Sequence, residues 1–194
     1  MKKWYSYLIV GLTVAELLLV LFSWLLSATM TEGVRSMLSG EGVRWFFGSF
    51  VSVLSSQWLV WLLLLSMAYG CLWQSGLLRF RAPRSYRQRV ALRTAIVFLL
   101  LYVAAILALT VTPHAVLLSA TGQLFPSAFS RALVPLVAIG LCLVSMVYGL
   151  MSGRFENLPA AVDSLSRGIA KAAPLFVLYI LVMLFFQSVL FVFM

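Results

Sequence analysis

The sequence predicts an all-α integral membrane protein, and three observations carry that prediction. The 194 residues are 63% hydrophobic, with a mean hydropathy of +1.07. Only 10% are charged, against about 25% in soluble domains. The apolar residues gather into long runs joined by short connections, the pattern of helices that must each satisfy their own backbone in lipid. About five transmembrane helices are expected in one membrane domain over 1–194. A re-entrant or interfacial helix over 41–56 and an amphipathic surface helix over 159–172 complete the set.

Span one runs from Tyr5 to Leu26, after Lys2 and Lys3. A cleaved signal peptide is the rival reading, but the apolar run exceeds the roughly 7–15 residues of such a segment. A polar connection over 28–40 leads to 41–56, which is too short to span and too apolar for a free loop. It meets a polar point at Ser55, Ser56 and Gln57 before span two, Trp58 to Trp73. Six arginines follow within fifteen positions: Arg79, Arg81, Arg84, Arg87, Arg89 and Arg93.

Span three covers Thr94 to Val111. The next connection carries Pro113, Gly122 and Pro126 as breakers, with room for a short interfacial helix at Ala115–Leu118. Span four is Ala132 to Met151. Pro159 then opens the predicted surface helix, whose Leu158, Val162, Leu165 and Ile169 recur on one face. Span five runs from Pro174 to Met194.

The formal net charge of +9 would suggest nucleic acid in a soluble chain. Here the basic residues border apolar spans, so the partner expected is the anionic face of a lipid bilayer and not nucleic acid. With the N-terminus in the cytoplasm, eleven of the fourteen basic residues lie inside, and only Arg35, Arg44 and Arg131 lie outside. The positive-inside rule favours that orientation. The arginine cluster reads as a topology anchor or a lipid head-group site.

Catalytic signatures are scarce. The sequence has no G-x-S-x-G, no phosphate loop and no H-E-x-x-H, so neither an enzyme nor a cofactor is expected. His114 has no neighbouring histidine or cysteine, and Cys71 and Cys142 lie in apolar runs, so no metal site or disulfide framework is implied. Glu16 is the one carboxylate deep in a span. An ionised acid there costs roughly 2.5–3.5 kcal/mol and normally faces a bundle interior, a watery cavity or a partner. Gln187 and Ser188 interrupt span five. Together with Ser55, Ser56 and Gln57, these residues are the candidates for a substrate or ion pathway. Small residues at Ser66 and Gly70, and at Ser145, Gly149 and Gly153, recur every fourth position and mark close helix packing.

Leu38–Leu78 resembles the first hairpin region of the AbgT family, the p-aminobenzoyl-glutamate transporters. The family's polar S-x-[DE]-G-[IVL]-R-W segment is matched by Ser39, Glu41, Gly42, Val43, Arg44 and Trp45. Its S-G-L-[LI] exit is matched by Ser75, Gly76, Leu77 and Leu78. Asn157–Phe193 resembles the start of the second hairpin, with Phe185, Phe186 and Gln187 in place of the family's F-F…Q pattern. A fainter likeness covers Pro113–Pro126. The hairpin-like region is thus 39–78 and the second hairpin-like start 157–194.

The resemblance implies an ion-coupled transporter of a small organic anion, p-aminobenzoyl-glutamate-like, in the bacterial inner membrane. Family members are longer, with two inverted halves that each supply a hairpin. The tip that carries Gly and Pro in the family is here Ser55, Ser56, Gln57 and Trp58. The expectation is therefore an altered or impaired transporter acting as a homo-oligomer. The alternative is a non-transporting accessory or structural subunit of another membrane complex.

Overall fold

The computed structural model describes residues 2–29, 33–78, 85–111 and 128–194. Arg79, Arg81, Arg84, His114 and the Pro113–Pro126 connection lie outside them. Six helices occur among the described residues: α1 (Lys2–Ala28), α2 (Gly40–Leu54), α3 (Gln57–Ser75), α4 (Tyr86–Val111), α5 (Ala128–Ser152) and α6 (Leu158–Phe193). All but α2 are long and apolar enough to cross a membrane. The chain divides into two units. One comprises Met1–Val60 with Ala172–Met194, the other Trp61–Lys171.

In the first unit, Ser39 caps α2 by accepting a hydrogen bond from the Gly42 N–H at 3.1 Å, which satisfies one of the four orphan donors of a helix start. Gly42 has no side chain for a steric reason: a Cβ there would sit 2.5 Å from the Met37 carbonyl oxygen. Met37 is buried with Phe191 and Val192. The segment before α2 is tied down at two points. The Arg35 N–H donates to the Val192 carbonyl at 3.0 Å, and the Met37 N–H donates to Ser23 Oγ at 3.1 Å. Trp45 stacks on Phe191 with ring centres 4.5 Å apart.

α2 has 15 residues, about 22 Å at 1.5 Å per residue, short of the roughly 30 Å hydrocarbon core. Its Phe47 and Val51 are 76% and 75% exposed. The sequence places the helix break at Ser55–Gln57; the structure breaks the helix at Ser55–Ser56. There Ser55 has φ −76° and ψ 64°, and the Ser56 N–H donates to the Leu54 carbonyl at 2.8 Å. This is an inverse γ-turn.

The second unit packs four helical pieces. α4 and α5 run antiparallel. The Arg87 Nε–H donates to the Met151 carbonyl at one end (2.9 Å), Ala91 and Ala95 meet Val144 and Tyr148, and the Tyr102 hydroxyl donates to the Leu136 carbonyl (2.8 Å). α3 and the start of α6 approach backbone to backbone. A Cβ on Gly70 would collide with Gly168 and the Ser164 carbonyl, and one on Gly168 with the Ser66 carbonyl and Gly70. Both helices thus present a Ser-x-x-x-Gly pair, Ser66/Gly70 and Ser164/Gly168, whose small side chains permit this approach. Gly149 makes room for the Phe155 ring. Gly153 ends α5 in the left-handed region at φ 77°, with the Arg154 and Phe155 N–H groups both donating to the Gly149 carbonyl, so the free carbonyls of the last turn find donors.

The structure corrects the expected surface helix over 159–172. That segment is the first part of one continuous helix of 36 residues that includes Pro174. Proline removes one backbone donor, which a membrane helix tolerates when neighbours supply partners. The cap is Asn157, whose Oδ1 accepts from the Ala160 N–H at 3.0 Å. The predicted apolar face is divided: Leu165 packs against the buried Cys71, Phe155 and Ala161. Leu158 and Val162 are 65% and 55% exposed, while Ala161 and Ser164 are fully buried. The small residues face the neighbouring helix, where their size lets the two backbones approach. α4 likewise begins eight residues before the expected Thr94, at Tyr86.

Candidate functional site

The candidate pathway residues fall into two polar contacts, both in the first unit. The first joins α1 to α6. Ser188, fully buried, donates its hydroxyl to Glu16 Oε1 at 2.7 Å. The other carboxylate oxygen, Oε2, is buried and has no hydrogen-bond partner among the described residues. A buried polar atom without a partner forfeits roughly 1–3 kcal/mol, and such atoms are rare enough in native structures to call for a cause. A carboxylate placed mid-span with one oxygen held and one open is built to receive something: a proton, a small cation, or a donor on a substrate. An apolar groove of about 420 Å³ on the same two helices is lined by Ala15, Leu19, Phe22, Phe185 and Val192 among others.

The second contact is at the break. Tyr179 on α6 donates its hydroxyl to the Leu54 carbonyl at 3.1 Å and also meets the Ser56 hydroxyl. The γ-turn frees polar backbone groups where α2 ends, and the Tyr179 hydroxyl supplies a partner without water. Ser55 turns instead to its own helix, donating to the Ser52 carbonyl at 3.2 Å. Gln57 is exposed at the start of α3. Gln187 adjoins Ser188 in sequence and is half-buried.

The six candidates therefore do not converge on one point. Tyr179 and Ser188 are nine residues apart on α6, about 13 Å along the axis and two and a half turns round it, so the two contacts use opposite faces. Sequence reasoning missed Tyr179, whose only signal was a hydroxyl-bearing ring within an apolar run. It singles out both Glu16 and Ser188 but does not say that the two, 172 positions apart, are partners.

Of the described arginines in the cluster, Arg87 caps the C-terminal end of α5, where a cation complements the free carbonyls. Arg89 and Arg93 are exposed. Cys71 and Cys142 are free thiols, with Cys71 Sγ pointing at the Cys142 carbonyl 3.7 Å away. No cluster of three metal-ligating side chains occurs among the described residues.

A broken helix, an intramembrane carboxylate and five apolar helices of spanning length define the class: an integral membrane protein with the fold of a membrane transporter. The structure is similar to the crystal structure of the Alcanivorax borkumensis YdaH transporter, an AbgT-family protein, with a TM-score of 0.76. That likeness covers 93% of this chain and 70% of the other at 14% identity. The neighbour has the family that the residues of Ser39–Trp45 and Ser75–Leu78 resemble. No family model and no curated protein sequence matches the chain.

Proposed function

We propose that the protein is an ion-coupled membrane transporter of a small organic anion of the p-aminobenzoyl-glutamate type. It would lie in the bacterial inner membrane with its N-terminus in the cytoplasm, as a homo-oligomer. The observation that carries the reading is the likeness to a transporter over 93% of the chain. Glu16 supplies the chemistry. Its open Oε2 takes up the coupling proton or cation while Ser188 holds Oε1. The break at Ser55–Ser56, tied to Tyr179, is the conformationally weak point, since broken helices are where transporters place their sites.

One observation favours the second reading, an accessory subunit that does not transport: the polar candidates fall into two contacts on opposite faces of α6 instead of one site. Purified protein in liposomes, offered labelled p-aminobenzoyl-glutamate under a proton or a sodium gradient, separates the two. Gradient-dependent accumulation is the expected result. No uptake, with steady co-purification of another membrane protein, would establish the accessory reading.

A further inference from the structure

Where α3 and the start of α6 cross, a groove of about 450 Å³ opens beside the bare backbone of Gly70, lined by Trp73, Gln74, Arg167, Ala170 and Lys171. We propose that this groove binds the phosphate group of an anionic phospholipid. The glycine contact makes the space: neither Gly70 nor Gly168 can carry a Cβ, so nothing projects from the crossing itself. The walls carry the recognition chemistry. The Lys171 ammonium lies 4.7 Å from the centre of the Trp73 ring and 5.7 Å from that of Tyr69, a placement that fixes the cation while leaving its N–H donors available. The Arg167 guanidinium pairs with Asp163 at 2.6 Å, both side chains more than half exposed. One carboxylate does not exhaust five donors, and guanidinium forks suit phosphate oxygens. The Gln74 amide, which donates to the Ser164 carbonyl at 3.5 Å, completes the rim.

Position argues for a lipid. Lys171 is the last charged residue of α6, just before the apolar run that starts at Ala172, and Trp73 lies in the last turn of α3. Both are therefore at head-group depth, where Trp rings and snorkelling cations anchor. The same end of this unit carries Arg87 beside Gly153 and Arg154 beside Gly76. It is the end that the charge bias assigns to the cytoplasm, whose leaflet is anionic, and basic pockets between membrane helices on that side take up acidic head groups.

The test titrates the full chain in detergent with dioleoyl phosphatidylglycerol or dioleoyl phosphatidylcholine and counts bound lipids by native mass spectrometry. The native chain should prefer phosphatidylglycerol by about thirtyfold, the scale expected from two cations near an anionic head group. The double variant Arg167→Gln/Lys171→Gln should lose that preference. Arg44→Gln/Arg131→Gln, which removes the same charge elsewhere, should keep it, as should the charge-conserving Arg167→Lys/Lys171→Arg. Both pairs are exposed, and equal thermal unfolding confirms intact folds. Inorganic phosphate added as competitor identifies the source. If it displaces the lipid, the groove reads phosphate as such; if it does not, the lipid head group is required; either supports the site. An undiminished preference in Arg167→Gln/Lys171→Gln, or equal losses in both charge-removing pairs, would overturn it.

Discussion

The two halves of α6 are built on different principles. Its first half, in the unit Trp61–Lys171, buries residues chosen for what they lack: Ala161, Ser164 and Gly168 let α3 come to backbone contact. Its second half, in the other unit, is chosen for what it carries: the Tyr179 and Ser188 hydroxyls reach the helix break and Glu16. Lipid tails are as apolar as leucine, so packing in a membrane is specified by close approach and by hydrogen bonds, with little help from hydrophobic burial. The first device is sterically strict and chemically inert. The second is sterically tolerant and leaves a reactive group, Glu16, half satisfied.

Substitutions that enlarge the strict half should do the most damage. Gly70→Leu or Gly168→Leu drives a side chain into backbone and should destabilise by more than about 3 kcal/mol, beyond ordinary overpacking. Thermal unfolding in detergent and loss of a monodisperse peak read the effect. Ser188→Ala should cost less, about 1–3 kcal/mol, because it leaves both oxygens of Glu16 without a partner. Adding Glu16→Leu to that variant should recover most of the loss, and a double-mutant cycle with coupling near zero would refute the contact. Tyr179→Phe should cost about 1 kcal/mol, seen as faster hydrogen exchange at Ser55 and Ser56 with α3 unaffected. Arg87→Gln, at the end of α5, should cost about 0.3–1 kcal/mol, near the limit of detection in the same unfolding assay.

Much of the architecture is legible in the sequence because the bilayer imposes it. Span one, read as Tyr5–Leu26, lies within α1, and the polar point at Ser55–Gln57 coincides with the break to within a residue. Hydropathy and local polarity are sufficient there, since each helix satisfies its own backbone. The spacing of Leu158, Val162, Leu165 and Ile169 shows one apolar face but not which residues meet α3; Ser164 and Gly168 do so because they are small. Pro174 as a boundary fails because one missing donor bends a membrane helix more readily than it ends one.

At the candidate site, Glu16, Ser56 and Ser188 stand out singly as polar residues in apolar surroundings. Their pairings do not, because they are set by packing across more than a hundred residues. Tyr179 is one tyrosine among seven. Ser164 and Gly168 look like an unremarkable stretch of surface helix until α3 is laid against them.

Uptake by proteoliposomes containing the Glu16→Gln variant tests the central claim most directly. Glutamine keeps an acceptor for Ser188 but cannot exchange a proton or bind a cation by charge. The account predicts that the folded variant still equilibrates labelled p-aminobenzoyl-glutamate across the membrane and no longer accumulates it against a gradient. Accumulation equal to that of the native protein would contradict it.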